Sequence, residues 1–158
     1  SFEFPALEVV RNILVSGKGS RLYRKLVDAG IASSVDIGNG EHSDPGLFSF
    51  YINMQKSRTA EQAIAIIDKE VKDLLSGKIQ PDEIERAVSM SQLALFNDMS
   101  GNFNKAQFLG FYETVGGRFE RGVDIVNALK AIDKRMITQV VKNYLNKNSR
   151  SIAIGVPK

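Results

Sequence analysis

The spacing of apolar residues at the start of the chain predicts two helices. After Pro5, which suits the first turn of a helix, apolar residues recur three and four positions apart until Gly17. A second, shorter helix is expected to begin at Ser20, whose hydroxyl can cap it, and to end at Gly30. The apolar period changes directly after this glycine.

The new period is two, which indicates strands. It begins at Ile31 and returns between Leu47 and Met54, and a polar stretch rich in glycine and proline separates the two runs. The pattern therefore predicts an antiparallel hairpin with one buried face. The residues predicted to face the core are Ile31, Val35, Ile37, Phe48, Phe50, Ile52 and Met54.

The rest of the chain is predicted to be mostly helical. The expected helices are residues 59–77 with a capping box, 81–101 with Pro81 in the first turn, 104–115, 119–132, and a last one capped by Asp133. The second of these bears Met90, Leu93 and Phe96 on the side opposite its main apolar stripe. We therefore expect it to be covered on two sides.

A final strand is predicted over residues 152–156, with Ile152, Ile154 and Val156 inward. Together the elements predict an α+β domain, a two-layer sandwich in which helices pack on one face of a mostly antiparallel sheet. Three strands are few for so many helices, so the first strands of the sheet are expected to lie in a preceding segment, or the edge to pair with another chain. A homodimer of the isolated chain is the expected substitute.

Length and charge limit the class of protein. The 158 residues fit a single domain over residues 1–158, and the formal net charge of +3 is scattered, so no nucleic-acid partner is expected. No stretch is long and apolar enough for a membrane span, and none resembles a signal peptide. Because the chain begins without methionine, a processed piece or excised domain is expected. The bacterial periplasm, the cytoplasm and the mitochondrion are all compatible locations.

The counts of histidine and cysteine exclude two common kinds of catalytic site. With one histidine and no cysteine, the chain can build neither a two-histidine zinc motif nor a thiolate site. His42 lies near Glu41 and Asp44 in the polar turn, where the spacing gives no fixed ligand geometry, so a polar loop is the favoured interpretation. Residues 16–20 read Ser-Gly-Lys-Gly-Ser but lack the first glycine of a phosphate loop, and we interpret them as a turn between helices.

Several short segments carry a resemblance to a known family. Residues 16–26 read Ser-Gly-Lys-Gly-Ser-Arg-Leu-Tyr-Arg-Lys-Leu, 44–49 read Asp-Pro-Gly-Leu-Phe-Ser, and 152–158 read Ile-Ala-Ile-Gly-Val-Pro-Lys. In this order and spacing they resemble the carboxy-terminal domain of the insulinase-type (pitrilysin, M16) zinc peptidases, a family that includes processing peptidases. The resemblance covers nearly the whole chain.

The resemblance implies a role without zinc. Such peptidases enclose a chamber between two similar halves, and one half carries an inverted motif, His-x-x-Glu-His, that this chain lacks. It implies no cofactor in this chain and zinc in the catalytic domain of the parent enzyme. The non-zinc half of the family often supplies an Arg and a Tyr that bind substrate, and Val27 and Ser33 stand at those positions here.

The implied function is the non-zinc domain of an M16-type metallopeptidase, a domain that forms part of the substrate chamber and packs on the catalytic domain or subunit. Peptides or unfolded proteins are the implied substrates, and the chain alone is expected to be inactive. The candidate substrate contacts are Arg21, Ser33 and Ser34. For Arg21, the favoured interpretation is instead a pairing with a nearby carboxylate or carbonyl.

An alternative from another class stays open. The same fold serves as a non-catalytic scaffold in the core subunits of the respiratory ubiquinol–cytochrome c reductase complex, which resemble these peptidases. A His-x-x-Glu-His motif upstream in the same gene or in its neighbour would favour the peptidase, and its absence from both would favour the scaffold.

Overall fold

The computed structural model describes residues 3–39 and 47–156 and contains helices around a small sheet. Within these ranges the elements are α1 (Glu3–Val15), a π-helical turn (Tyr23–Val27), β1 (Ala32–Asn39), β2 (Phe48–Met54), α2 (Ala60–Leu75), α3 (Pro81–Asp98), α4 (Asn102–Thr114), α5 (Arg121–Lys130), α6 (Lys134–Tyr144) and a short 3-10 turn (Lys147–Ser149). The predicted α+β class, with helices packed against an antiparallel sheet, is confirmed.

Helix α1 is the centre of the domain. Its apolar residues recur at the spacing of one helical face, and five of them are completely buried: Ala6, Val9, Val10, Ile13 and Leu14. The helix packs against α3, α5 and α6, and also against β1. A 13-residue helix is too short to be stable alone in water, so this burial is what holds it in place.

A small polar network crosses the core beside α1. The Asn12 side chain donates from Nδ2 to Ser91 Oγ at 2.8 Å and to the Ala87 carbonyl at 3.2 Å, and Ser16 donates back to Asn12 Oδ1 at 2.6 Å. Among residues 3–39 and 47–156, every buried side-chain nitrogen and oxygen atom has a hydrogen-bond partner. The network therefore fixes the position of α3 on α1 without leaving a buried polar atom unpaired.

The hairpin contains a bulge that the sequence pattern did not indicate. Ala32 pairs with Met54 but Ser34 pairs with Asn53, so Ser33 is an extra residue in β1. The bulge changes the parity of the strand, and Ala32 and Ile37 are both fully buried as a result. On β2 the predicted alternation is present from Phe50 to Met54, where half-buried residues packed on the core alternate with exposed ones.

Two of the three caps predicted from sequence, those at Thr59 and Asp133, are present. Thr59 donates its main-chain N–H to the Gln62 side chain at 3.2 Å, and Asp133 accepts the N–H of Met136 at 2.7 Å. Ser20 differs from the prediction, because its hydroxyl donates to the Gly17 carbonyl at 2.7 Å and so closes the preceding turn. The segment after it is a π-helical turn, not a regular α-helix.

The predicted last strand is wrong. Residues 151–156 form no strand, and the side chains of Ile152, Ile154 and Val156 are exposed. An isolated extended segment cannot form a strand without a neighbour to satisfy its main-chain groups, and none lies beside it among the described residues. The polar turn with Glu41, His42 and Asp44 lies outside the described residues.

No helix within residues 3–39 and 47–156 combines the length and the apolar character needed to cross a membrane.

The burial of the hairpin can be tested with a matched pair of truncations. Ile37 is 1% exposed, so replacing it with Ala should lower the free energy of unfolding by about 2–5 kcal/mol, as buried truncations do. Ile154→Ala removes the same atoms from a side chain that is 56% exposed, and it should change the free energy of unfolding by less than about 0.5 kcal/mol. Urea denaturation of the two variants measures both values, and equal losses would contradict the described hairpin face.

Candidate functional site

Arg21 is held by a two-point contact with a carboxylate. Its Nε donates to Glu83 Oε1 and its Nη2 to Glu83 Oε2, both at 2.7 Å. The same Nη2 donates to the Lys78 carbonyl at 2.6 Å. The planar guanidinium suits this geometry, which a lysine could not reproduce. The sequence predicts a carboxylate or a carbonyl as the partner of Arg21, and the structure shows one of each.

A second carboxylate, that of Glu70, lies inside the core next to Arg21. We call Arg21, Lys25, Glu70 and Glu83 together the Arg21 cluster. Glu70 on α2 is only 1% exposed, and it accepts a hydrogen bond from Lys25 Nζ. Arg21 Nη1 lies 3.6 Å from Glu70 Oε2. An unpaired buried carboxylate would cost several kcal/mol, so the two cations make the position of Glu70 tolerable. The cluster links the chain around the π-helical turn to both α2 and α3.

Arg21 and Glu83 shift each other's pKa. The hydrogen bonds from Arg21 lower the pKa of Glu83, partial burial opposes this, and the N–H of Gln80, which donates to Glu83 Oε2 at 3.0 Å, lowers it further. The hydrogen bond to Glu83 raises the pKa of Arg21 against the opposing effect of burial. Both groups are therefore charged at neutral pH, and the contact is a full ion pair.

The sequence contained a signal for this cluster that the apolar pattern alone did not resolve. Glu70 stands in the same register as Ala63, Ile67 and Leu74, which line the inner face of α2. A carboxylate at a core position of a helix requires a partner of opposite charge. Lys25 and Arg21, one turn apart, are those partners.

Ser33 and Ser34 lie on the exposed side of the bulge. Ser33 Oγ donates to the Asn53 carbonyl at 3.1 Å, and Asn53 Nδ2 donates to Ser34 Oγ at 2.8 Å. These bonds connect both serines to β2 and not to Arg21. The structure therefore does not bring the three candidate substrate contacts together through hydrogen bonds, and contact with a peptide stays a prediction for each.

One edge of the sheet is partly closed by side chains. The N–H of Ile37 donates to Asp36 Oδ1, and the carbonyl of Ile37 accepts from Arg11 Nε, each at 2.8 Å. These main-chain groups of β1 are engaged by side chains, which hinders pairing of another strand at this point. Strand β2 pairs with β1 and with no other strand among the described residues.

The described residues do not fit a metal ion. Within residues 3–39 and 47–156, no three His, Cys, Asp or Glu side chains come close enough to bind one. His42, the single histidine of the sequence, lies outside the described residues. The structure gives no reason to place zinc chemistry in this part of the chain.

Helices α3 and α4 expose large apolar side chains. We call this surface the α3–α4 face and define it by Leu93, Phe96, Phe103 and Phe111, all of them exposed. Among the described residues the predicted cover on the second side of α3 is therefore absent over Leu93 and Phe96, whereas Met90 is half-buried. Phe103, with 80% of its surface exposed, is the extreme case. Large exposed aromatic residues of this kind are typical of interaction surfaces.

Comparison with protein families identifies the chain. Residues 2–91, more than half of the sequence, match the family described as the Peptidase M16 inactive domain. The chain belongs to the M16 inactive domain family. The matched residues include α1, the hairpin and Arg21, together with both carboxylates that pair with it. The Arg21 cluster therefore lies within the part of the chain that defines the family.

Solved structures agree with this fold. The inactive peptidase domain of a candidate zinc protease from Bordetella parapertussis superposes with a TM-score of 0.88 at 22% identity, over 100% of this chain and 86% of that one. A protease from Helicobacter pylori gives 0.82 at 20% identity, over 91% of this chain but only 35% of that one. This chain thus spans only about a third of the length of the Helicobacter protein. No curated protein sequence matches the chain.

The Arg21 cluster makes stability depend on pH. Because the folded-state pKa of Glu83 lies below its ordinary value of 4.5, its contribution is complete above that value and is lost as the pH falls through the folded pKa. Glu83→Gln removes the charge and should cost about 1–3 kcal/mol at pH 7. The difference in stability between Glu83→Gln and the unsubstituted protein should become smaller as the pH falls below 4.5, the ordinary pKa of a glutamate.

Glu85→Gln is the matched control, since Glu85 lies on the same helix, is exposed, and has no ion pair among the described residues. Thermal melts of both variants between neutral pH and pH 3 provide the comparison. A Glu83→Gln cost that stays constant with pH, or one that Glu85→Gln reproduces, would contradict the proposed ion pair.

Proposed function

We propose that this chain is the non-zinc domain of an M16-type metallopeptidase and works by packing on a zinc-bearing domain. In that assembly it forms part of the wall of the substrate chamber. Zinc and the hydrolysis of the peptide bond belong to the His-x-x-Glu-His domain, in the same parent protein or in a partner subunit. The chain alone holds no catalytic residue.

The observation that carries the proposal is the match to the M16 inactive domain over residues 2–91. The residue inventory supports it independently. One histidine and no cysteine cannot supply the three protein ligands of a catalytic zinc site without several carboxylates, and the described residues contain no such cluster. A domain of this composition would therefore contribute to proteolysis by packing on the zinc-bearing domain and by forming part of the chamber wall.

The α3–α4 face is the surface we propose for the zinc-bearing domain. A monomeric protein gains nothing from exposing Phe96 and Phe103, and burying two phenylalanine side chains stabilises a complex by roughly 1.5–3 kcal/mol each. The exposed Leu93 lies three residues before Phe96 on α3, so both fall on the same side of the helix.

The proposed substrate is an extended peptide or unfolded protein that pairs with a sheet edge. Backbone pairing of this kind gives affinity with little sequence preference. Strand β2 is the favoured edge, because side chains engage the N–H and carbonyl of Ile37 on β1. Ser33 and Ser34 lie on β1, one strand further from that edge, and would act on the peptide through Asn53 of β2, to which both are hydrogen-bonded. The homodimer predicted from sequence would bury either this edge or the apolar surface proposed for the partner domain, and it too stays a prediction.

A scaffold role on the same fold is the second candidate. It is favoured by Val27 and Ser33, which stand where the resemblance implies a substrate-binding Arg and Tyr. Neither residue can stabilise a negatively charged transition state as those two would. A scaffold would use the α3–α4 face to bind a neighbouring subunit, with no zinc-bearing partner.

The two roles differ in what the chain does for cleavage. The test mixes the chain with the His-x-x-Glu-His protein encoded upstream or in the neighbouring gene and follows digestion of casein. The peptidase role predicts no cleavage by the chain alone, a stable complex by light scattering, and cleavage by the mixture that a zinc chelator abolishes. Phe96→Ser with Phe103→Ser should weaken the complex at least about tenfold, the loss expected for two buried aromatic contacts.

Tyr51→Ser combined with Leu47→Ser is the matched control, because it removes two exposed apolar side chains from the hairpin instead. It should leave the complex intact. A complex that forms but adds nothing to cleavage would contradict the peptidase role, and the absence of any complex would favour the scaffold. Equal weakening by both pairs of substitutions would exclude the α3–α4 face as the contact.

A further inference from the structure

A shallow groove lies where the turn between α2 and α3 meets the turn between α5 and α6. It has a volume of 710 Å³, and its apolar floor consists of Ile79, Pro81, Ile84 and Ile132. A second depression of 690 Å³ continues along α6 and shares Asp133 and Lys134 with the first. The two form one continuous surface, which we call the cationic groove.

The name follows from the charges on its wall. Lys134, Thr138 and Lys142 are four residues apart on α6 and so share one side of the helix, and Arg135 lies beside them. Lys78 also lines the groove, but its ammonium group is paired with Asp73 at 3.1 Å. Lysine and arginine side chains present their alkyl stems along such a wall and their charges at its rim, so the surface is apolar below and positive above.

The positive charges on α6 are not neutralised within the described residues. Lys134, Arg135 and Lys142 form no ion pair there, in contrast to Arg21 and Lys25, which are paired in the cluster described above. Of the two acidic residues that line the groove, Asp133 uses its carboxylate to accept the N–H of Met136 at 2.7 Å, and Glu85 has no ion pair within 4 Å in the described residues. Three cations thus remain available to an acidic partner.

The turn between α2 and α3 leaves space for the Lys134 side chain. A Cβ atom built on Gly77 would lie 2.9 Å from Lys134 Cε, so the lysine stem lies directly against the turn between α2 and α3. Gly77 has a φ of +69°, which favours glycine in any case. The glycine therefore leaves room for the end of the lysine side chain, whose Nζ lies 3.6 Å from the same built Cβ atom.

We propose that the cationic groove binds an acidic peptide segment that carries apolar residues among its carboxylates. The carboxylates would pair with Lys134, Arg135 and Lys142, and the apolar side chains would contact the floor around Ile84 and Ile132. Both helices that begin at the groove are already capped, by Asp133 and by the Gln80–Glu83 box, so the side-chain charges carry the argument. The proposal is independent of the zinc-bearing partner.

The test uses fluorescence anisotropy with a labelled peptide of alternating Glu and Leu. The full chain should bind it, should bind a Glu-Ser peptide of equal charge at least about tenfold more weakly, and should lose affinity as salt increases. Lys134→Glu with Lys142→Glu should reduce affinity at least about tenfold, because like charges then face the peptide. Lys134→Gln with Lys142→Gln should give a smaller loss in the same direction, and this second pair serves if charge reversal prevents folding.

Lys18→Glu with Lys105→Glu is the matched control, since it changes the net charge equally at two exposed lysines outside the groove. It should leave the affinity within about twofold, because distant surface charges are screened by salt. If both pairs of lysine-to-glutamate substitutions lowered the affinity equally, the net charge of the chain would explain the binding, and the proposal would be overturned. Tighter binding of single-stranded DNA of equal length, equal binding of the Glu-Ser peptide, or no binding would overturn it as well.

Discussion

The structure depends on the burial of one helix. α1 packs against three other helices and against β1, and its inner residues from Ala6 to Leu14 have no contact with solvent. Because helices of this length are marginal in water, α1 and its neighbours can exist only together. The position of α3, which bears the α3–α4 face, follows from this packing and from the Asn12 network. The surfaces proposed to act are therefore fixed by a core that itself takes no part in chemistry.

The Arg21 cluster adds specificity at the margin of that core. Hydrophobic contacts are non-directional and do not by themselves determine how the chain after α1 meets α2 and α3. A two-point contact between Arg21 and Glu83 has one acceptable geometry, and the buried Glu70 requires Lys25 and Arg21 nearby. A packing arrangement that separated Glu70 from its cations would leave an uncompensated buried charge, which is strongly destabilising.

Much of the fold could be predicted because local patterns and tertiary packing agree. The stripe of α1, the Thr59–Gln62 cap and the alternation of β2 are all local signals that the packing preserves. The bulge at Ser33 could not be predicted, since it depends on where Met54 meets β1. The last strand was predicted from alternation alone, and alternation shows which face would be buried but not whether a partner strand is present.

The candidate site was less predictable for a similar reason. A pairing for Arg21 could be expected from chemistry, but Glu83 is 62 residues away in sequence and nothing local connects them. The signal that was present, a glutamate in the inner register of α2, needs the helix to be placed before it can be interpreted. Ser33 and Ser34 are candidate substrate contacts only because of where they stand in the family resemblance. The structure adds that both are hydrogen-bonded to Asn53.

Hydrogen exchange, measured on the chain alone and with the zinc-bearing protein, tests most directly whether a rigid core presents an open face to a partner. In the chain alone, the amides of α1 should exchange most slowly, near the global unfolding limit, and those of α4 should exchange fast. Addition of the partner should slow exchange in α4 and leave α1 unchanged. An α1 that exchanges as fast as α4, or a complex in which α4 gains no protection, would contradict this account.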